Sequence, residues 1–187
     1  MSAQKKAYIN LHIAVFLFGF TAILGDLIEL KALPLVWWRV FITTASLLFL
    51  VKSKIIRQIP RKRLLQYMGI GCIVAIHWLT FYGAIKMANA SIALVCLATT
   101  SFFTALLEPL LLKKKIRGYE LLLGILIIPG MILIVQSTDL SMWIGIGVGL
   151  SSALFASIFS ILNKQMISHT DEMSITFIEI GSAWLFL

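Results

Sequence analysis

Charge is what this sequence has least of. Only 13% of its 187 residues are Asp, Glu, Lys or Arg and 60% are hydrophobic, against roughly 25% charged in an ordinary soluble domain. A soluble globular fold is thereby excluded. Cysteine is scarce too: Cys72 and Cys96 form no CxxC pair and have no second ligand cluster nearby, so neither a disulfide framework nor a metal site is expected. No nucleophile with a base and an orienter, no P-loop and no HExxH occurs, which excludes hydrolytic and ATP-driven chemistry. The chain is not read as an enzyme, and no cofactor is implied.

What fills the sequence instead is apolar runs: Ile9 to Ile28, Ala32 to Val51, Leu64 to Ile85, Ala88 to Leu112, Leu121 to Val135 and Leu140 to Leu162, with a seventh from Met173 to Leu187. The first six are read as membrane spans. Fifteen residues from Met173 reach about 22 Å at about 1.5 Å per residue, short of roughly 30 Å of hydrocarbon. The fold expected is an all-α integral membrane protein of six complete transmembrane helices plus a truncated seventh, the N-terminal part of a longer chain.

Cations between the runs give the topology. Lys5 and Lys6 lead; Lys52, Lys54, Arg57, Arg61, Lys62 and Arg63 follow the second run; Lys113, Lys114, Lys115 and Arg117 follow the fourth; Lys164 closes the sixth. The alternate connections hold only Lys31 and Lys86. The positive-inside rule then predicts a cytoplasmic N-terminus and alternating short hairpins. The net charge of +8 belongs to juxtamembrane loops facing anionic lipid, and nucleic acid is not expected as a partner.

Local signals mark the helix ends. Pro34 and Pro60 punctuate loops, and Asn89, Ser91, Asp139, Ser141 and Asp171 are the expected caps. Pro129 and Gly130, inside the fifth run, predict a kink. In the sixth run Gly145, Gly149, Ala153 and Ser157 recur every four residues, a small-xxx-small face that either packs on a neighbour or lines a pore.

Ionisable groups inside spans cost roughly 2.5 to 3.5 kcal/mol on insertion scales, so each is a site candidate. His77 lies near the centre of the third run with Trp78 and Tyr82 close by; it is either a core histidine bonded to a neighbouring helix or a substrate or proton group. Cys96, Thr100, Thr104 and Glu108 recur every four residues and share one helical face. Glu108 can pair with Lys113 or its neighbours, or serve a transport pathway. Arg39 sits one to two turns below the outer boundary, and Asp26 at a similar level makes an Arg39–Asp26 pair the simplest account. Glu179, inside the seventh run, needs a partner. His77 and Thr100 lie at matching depth, about 17 Å from the hairpin near Asn89, and can face one another.

A shift of 138 residues places AILGDLI (22–28) over SILNKQM (160–166), and the charge at the end of the span reverses from Asp26 to Lys164. Five spans per unit is odd, and an odd unit repeated in tandem is inverted. The glycine of LFGFTAILG at Gly19, Arg39 in VWWRVFI, GAIKMANASIALV, FFTALLEPLLLKKKIRGYELLLGILIIPGMILIV and IGVGLSSALFASIFSILNK occur in an order and spacing that covers nearly the whole chain. With these motifs the chain resembles the EamA family of the drug/metabolite transporter superfamily. It departs from the family in reading Ala98, Thr99, Thr100 and Ser101 where a proline is usual, and Lys113 and Lys114 where a glycine-glutamate pair is usual.

The resemblance implies ten helices in two inverted five-helix repeats, here a first repeat over 1–138 and the start of a second over 139–187. It implies secondary transport, often efflux, of a small metabolite. The expected function is a multi-pass inner-membrane carrier moving a small polar metabolite by alternating access, with a cavity lined by His77, Trp78, Tyr82, Thr100 and Thr104. Arg39 would attract an anionic group, and a proton could couple through His77, Glu108 or Glu179. The alternative is a non-transporting membrane scaffold, or an integral protein that modifies lipid, in which the same polar groups are packing glue. Convergence of those groups on a cavity, against their pairing off between helices, separates the two.

Overall fold

A computed structural model describes residues 2–136, 139–167 and 170–187. The described residues form helices and no strands: α1 (Ala3–Leu27), α2 (Ala32–Leu48), α3 (Ser53–Gln58), α4 (Arg61–Met87), α5 (Ala90–Ala98), α6 (Thr100–Leu112), α7 (Gly118–Ile125), α8 (Ile127–Gln136), a 3₁₀ turn (Leu140–Met142), α9 (Trp143–Met166) and α10 (Glu172–Phe186). Among the described residues four stretches are long and apolar enough to cross a membrane: Gln4–Leu27, Arg61–Met87, Ala90–Leu112 and Leu140–Met166. Ala32–Leu48 and Gly118–Ile134 are shorter apolar helices.

Three details differ from the sequence expectation. The basic connection after α2 is partly helical, because six residues from Ser53 to Gln58 wind into α3 before Pro60 opens α4. The fifth apolar run is two helices that meet at Leu126. The expected kinking residue, Pro129, explains the position of that break. A proline cannot donate to the carbonyl four residues earlier and its ring clashes with it, and that carbonyl belongs to Ile125, the last residue of α7. Asp139 precedes the 3₁₀ turn without a side-chain cap bond, whereas Asn89 and Asp171 do cap their helices, accepting from Ile92 N–H at 2.9 Å and Ser174 N–H at 2.7 Å.

The fourth run also breaks, between α5 and α6, at the place where a proline is usual. Thr99 makes the break without one: its hydroxyl donates to the Cys96 carbonyl at 2.6 Å and its N–H to the same carbonyl at 3.1 Å. A side chain that competes for the helical acceptor bends the backbone much as a missing donor would. At the end of α6, Lys113 takes φ 52°, the only positive φ among the described non-glycine residues. Helices commonly end on a left-handed residue, most often glycine, which accounts for glycine being usual at this position; here lysine adopts it.

The bundle is organised around α4. α9 packs along α4 and reaches α5 and α6, while α10 packs on α4 and α2. Lipid provides no hydrophobic force between helices, so they associate through close backbone approach, and α9 offers its small-residue stripe. A Cβ at Gly145 would lie 2.8 Å from that of Ala88, and one at Gly149 2.8 Å from that of Cys96. Ala153 and Ser157 continue the face, fully buried. The stripe is a packing surface. α1 stands at the edge, fully buried only at Ala22 and Gly25 among its described positions, and its exposed Phe16, Leu24 and Leu27 suit a lipid-facing helix.

Directions follow from the contacts. α9 is antiparallel to α4, since Gly145 meets Ala88 at one level and Ser152 meets His77 at another. α1 and α4 end together, with Gly25 against Tyr82. α2 and α10 are antiparallel: Trp37 meets Trp184 and Thr44 meets Gly181.

Gly71 on α4 is the tightest joint. A Cβ there would collide with the Ser182 hydroxyl and the Glu179 backbone, including the Glu179 carbonyl carbon at 2.9 Å. Gly69, two residues earlier, has nothing within 4 Å. Gly71→Ala should therefore destabilise the protein by about 1 to 3 kcal/mol, the usual cost of overpacking, whereas Gly69→Ala should leave stability unchanged or raise it. Thermal unfolding of both variants in detergent checks the contrast.

Candidate functional site

Two groups of polar side chains lie inside the bundle, and the sequence-predicted residues divide between them. The first runs along the interface of α4, α5 and α6 with α9. His77 is buried and its Nδ1 lies 3.0 Å from the Ser152 carbonyl and 2.9 Å from the Ser152 hydroxyl. That hydroxyl donates its own proton to the His77 carbonyl at 3.0 Å, so Nδ1 must carry the hydrogen and donate. The tautomer is fixed by the helix–helix contact. Phe81 and Phe159 flank the ring, with centroids at 6.2 and 5.4 Å.

The α5–α6 face points at α9 along its length, as the four-residue spacing requires. Cys96 donates weakly to the Ile146 carbonyl at 3.7 Å, and Thr104 donates to the Ser157 hydroxyl at 3.0 Å. Glu108 pairs with Lys164 at 2.7 Å and Lys114 at 3.5 Å. The Thr100 hydroxyl is buried with no hydrogen-bond partner. His77 is bonded to α9 and not to Thr100, because α9 inserts its small residues along both α4 and α5.

The second group surrounds Arg39. Its guanidinium donates to the Tyr82 hydroxyl and lies over the Trp78 ring at 4.7 Å and the Tyr82 ring at 5.7 Å. Cation–π contacts of this kind contribute about 0.5 to 2 kcal/mol. The expected Arg39–Asp26 ion pair does not form: the ion pairs among the described residues join Glu108 to Lys114 and Lys164, and Arg117 to Glu120. Two aromatic faces one turn apart on α4 take the cation instead. Arg39, Trp38 and Tyr82, with Thr21, Leu24 and Gly25 of α1, line a cavity of about 300 Å³ between α1, α2 and α4. Gly25 lets α1 approach here, since a Cβ would run into the Tyr82 ring.

Glu179 stands apart from both groups. It is buried on α10, and the Asn163 amide of α9 donates to its Oε2 at 3.1 Å. Its partner therefore lies within the chain. Sequence reasoning named neither Ser152 as the partner of His77 nor Asn163 as that of Glu179. A primary amide just past the end of an apolar run was the available signal for Asn163. Ser152 carried none beyond its place beside the small-residue stripe. Among the described residues no three His, Cys, Asp or Glu side chains cluster as a metal site would require.

If the His77–Ser152 link is an interhelical bond, His77→Leu and Ser152→Ala should each cost about 0.6 kcal/mol, up to about 1.7. The double variant should then cost less than the sum. Additive losses within about 0.3 kcal/mol in detergent unfolding would show the two residues to be uncoupled.

A run of apolar helices joined by basic hairpins, packed through small residues and holding a membrane-embedded arginine, is the setting for one comparison with known proteins. The pattern of the EamA-like transporter family matches residues 5–136. No curated protein and no solved structure matches the chain significantly. With more than half of its length covered by that pattern, the chain belongs to the EamA-like transporter family, a family of membrane transporters.

Proposed function

We propose that this chain is part of a secondary transporter that moves a small anionic metabolite across the inner membrane by alternating access, with Arg39 as the group that recognises the anion. The observation that carries the reading is the state of that arginine. It lies in an apolar helix about seven residues, roughly 10 Å, from the start of α2. No carboxylate pairs with it among the described residues, and it borders the cavity of about 300 Å³ beside Tyr82. A buried-side guanidinium needs a compensating anion, and a planar fork of donors suits a carboxylate or phosphate. Tyr82 and Trp78 hold the fork in place while leaving donors free.

The charge asymmetry supports an N-terminus and basic hairpins on the cytoplasmic side, and the efflux often found in the family supports export. A first repeat over 1–138 and the start of an inverted second over 139–187 are supported by the helices themselves. A shift of 138 carries α1 to 141–165, against the observed Trp143–Met166, and α2 to 170–186, against Glu172–Phe186. Yet α2 and α10 run in opposite directions, as an inversion requires. Six spans and part of a seventh follow if α2 and the α7–α8 pair also cross the bilayer.

The scaffold reading is favoured by one observation: His77 and Thr104 pair off with Ser152 and Ser157 between helices. It leaves Arg39 unexplained. The protein reconstituted in proteoliposomes should exchange a radiolabelled carboxylate or phosphate metabolite, and Arg39→Gln should slow that exchange by about tenfold or more, the loss of one charge-assisted bond worth at least about 1.4 kcal/mol. Arg39→Lys should retain part of the rate. Exchange of neutral solutes unaffected by Arg39→Gln would overturn the assignment, and absence of flux across a broad panel would favour the scaffold.

A further inference from the structure

Glu179 and Asn163 share an unusual deficit. One amide hydrogen of Asn163 bonds to Glu179 Oε2 at 3.1 Å, while Glu179 Oε1 and Asn163 Oδ1, both buried, have no hydrogen-bond partner among the described residues. Both orphan atoms are acceptors, and Glu179 is only 5% exposed. Two unsatisfied buried acceptors are costly. A hydrogen added to Oε1 turns one of these acceptors into a donor, and the Asn163 amide already bonded to Oε2 carries the other unsatisfied acceptor.

We propose that Glu179 and Asn163 form a proton-binding site between α10 and α9, occupied in this arrangement of the helices and emptied when α10 moves. A proton from water on the side to which the site opens forms the Oε1–H bond, and the carboxylate becomes a neutral acid. Exposure to the opposite side breaks that bond and returns the proton to water. The surroundings favour this ligand over a metal cation. Hard cations take about six oxygen ligands, and this site offers two free oxygens. The Ser182 hydroxyl, three residues on along α10, donates to the Glu179 carbonyl at 2.9 Å and lies 3.3 Å from the Met68 carbonyl.

Several charged and titratable groups on the packed elements have partners elsewhere. Tyr67 of α4 donates to Thr170 at 3.2 Å, Lys164 of α9 is held by Glu108, and Arg39 of α2 by Tyr82. On α10 itself Asp171 caps the helix, accepting from Ser174 N–H at 2.7 Å, and Glu172 is exposed in the first turn. Glu108 is unsuited to the same task because two lysines already neutralise it. Movement at the site has an obvious lever: the Glu179 backbone sits directly on Gly71, so any shift of α10 along α4 carries the carboxyl with it.

The role as a coupling site rests on the transporter reading, but proton binding itself does not, and infrared difference spectroscopy of the protein in nanodiscs tests it without any substrate. The spectrum at neutral pH should contain a carboxylic-acid C=O band that disappears in Glu179→Gln and moves to higher frequency in Asn163→Leu, where its hydrogen-bonded partner is gone. Glu179→Asp, which keeps the acid, should retain a displaced band and serves if the glutamine variant does not fold. Replacing choline by sodium at constant pH and ionic strength should leave the band unchanged. A spectrum in which Glu179→Gln removes no acid band, or a band lost on adding sodium, would overturn the proposal. Failure of anion exchange at Arg39 would leave this result untouched.

Discussion

Close approach between α4 and α9 is the constraint on which the rest of this structure depends. In lipid two apolar helices gain nothing from hiding surface from one another, so their association rests on dispersion, interhelical hydrogen bonds and the geometry that permits both. Gly145 and Gly149 bring the α9 backbone against Ala88, Ala84 and Cys96. That proximity is what lets Ser152 reach around His77 and Ser157 reach Thr104. Substituting a larger residue into the stripe would separate the helices, and each polar group along it would lose its partner in a medium that supplies no other.

Division of labour among the polar groups follows from this contact. His77 and Thr104, which meet Ser152 and Ser157 of α9, are satisfied as pairs and act as glue. Two charged groups away from that stripe are left with unusual partners. Arg39 lies against aromatic faces and a cavity, and Glu179 is met by one amide hydrogen and nothing else on its second oxygen. Polar groups left incompletely satisfied in a membrane are where a ligand has most to offer, and the proposed anion and proton sites are the two such places with a buried or partly buried charge. They lie on the two helices, α2 and α10, that pack directly against each other.

Much of this was legible in the sequence. Basic hairpins and run lengths located the helices, the four-residue spacing of Cys96, Thr100, Thr104 and Glu108 correctly gave a shared face, and Pro129 gave the break at Ile125 because its effect falls at a fixed distance along the chain. Family membership was readable from the order of weak motifs. The misreadings concern partners. Nothing local distinguishes Asp26 from two aromatic faces as the neighbour of Arg39, and the facing of His77 and Thr100 at equal depth neglected the helix that comes between. Thr99 shows the same limit in backbone: its hydroxyl competes for a helical carbonyl, and threonine carries no such instruction unless the surrounding packing allows it.

Inversion of the two repeats is the claim from which the transporter mechanism follows, and cross-linking of α2 to α10 tests it most directly. In the protein with Cys72 and Cys96 replaced by alanine, a cysteine pair at Thr44 and Gly181 should form a disulfide under mild oxidation, because the Thr44 side chain comes within 3.6 Å of where a Cβ at Gly181 would sit and a disulfide forms only between side chains in such close contact. A pair at Trp37 and Ile175, which the 138-residue shift makes equivalent, should stay reduced, since antiparallel helices carry those positions to opposite ends. Ready cross-linking of Trp37→Cys with Ile175→Cys, and none between positions 44 and 181, would mean that the helices run parallel and that the repeats are not inverted.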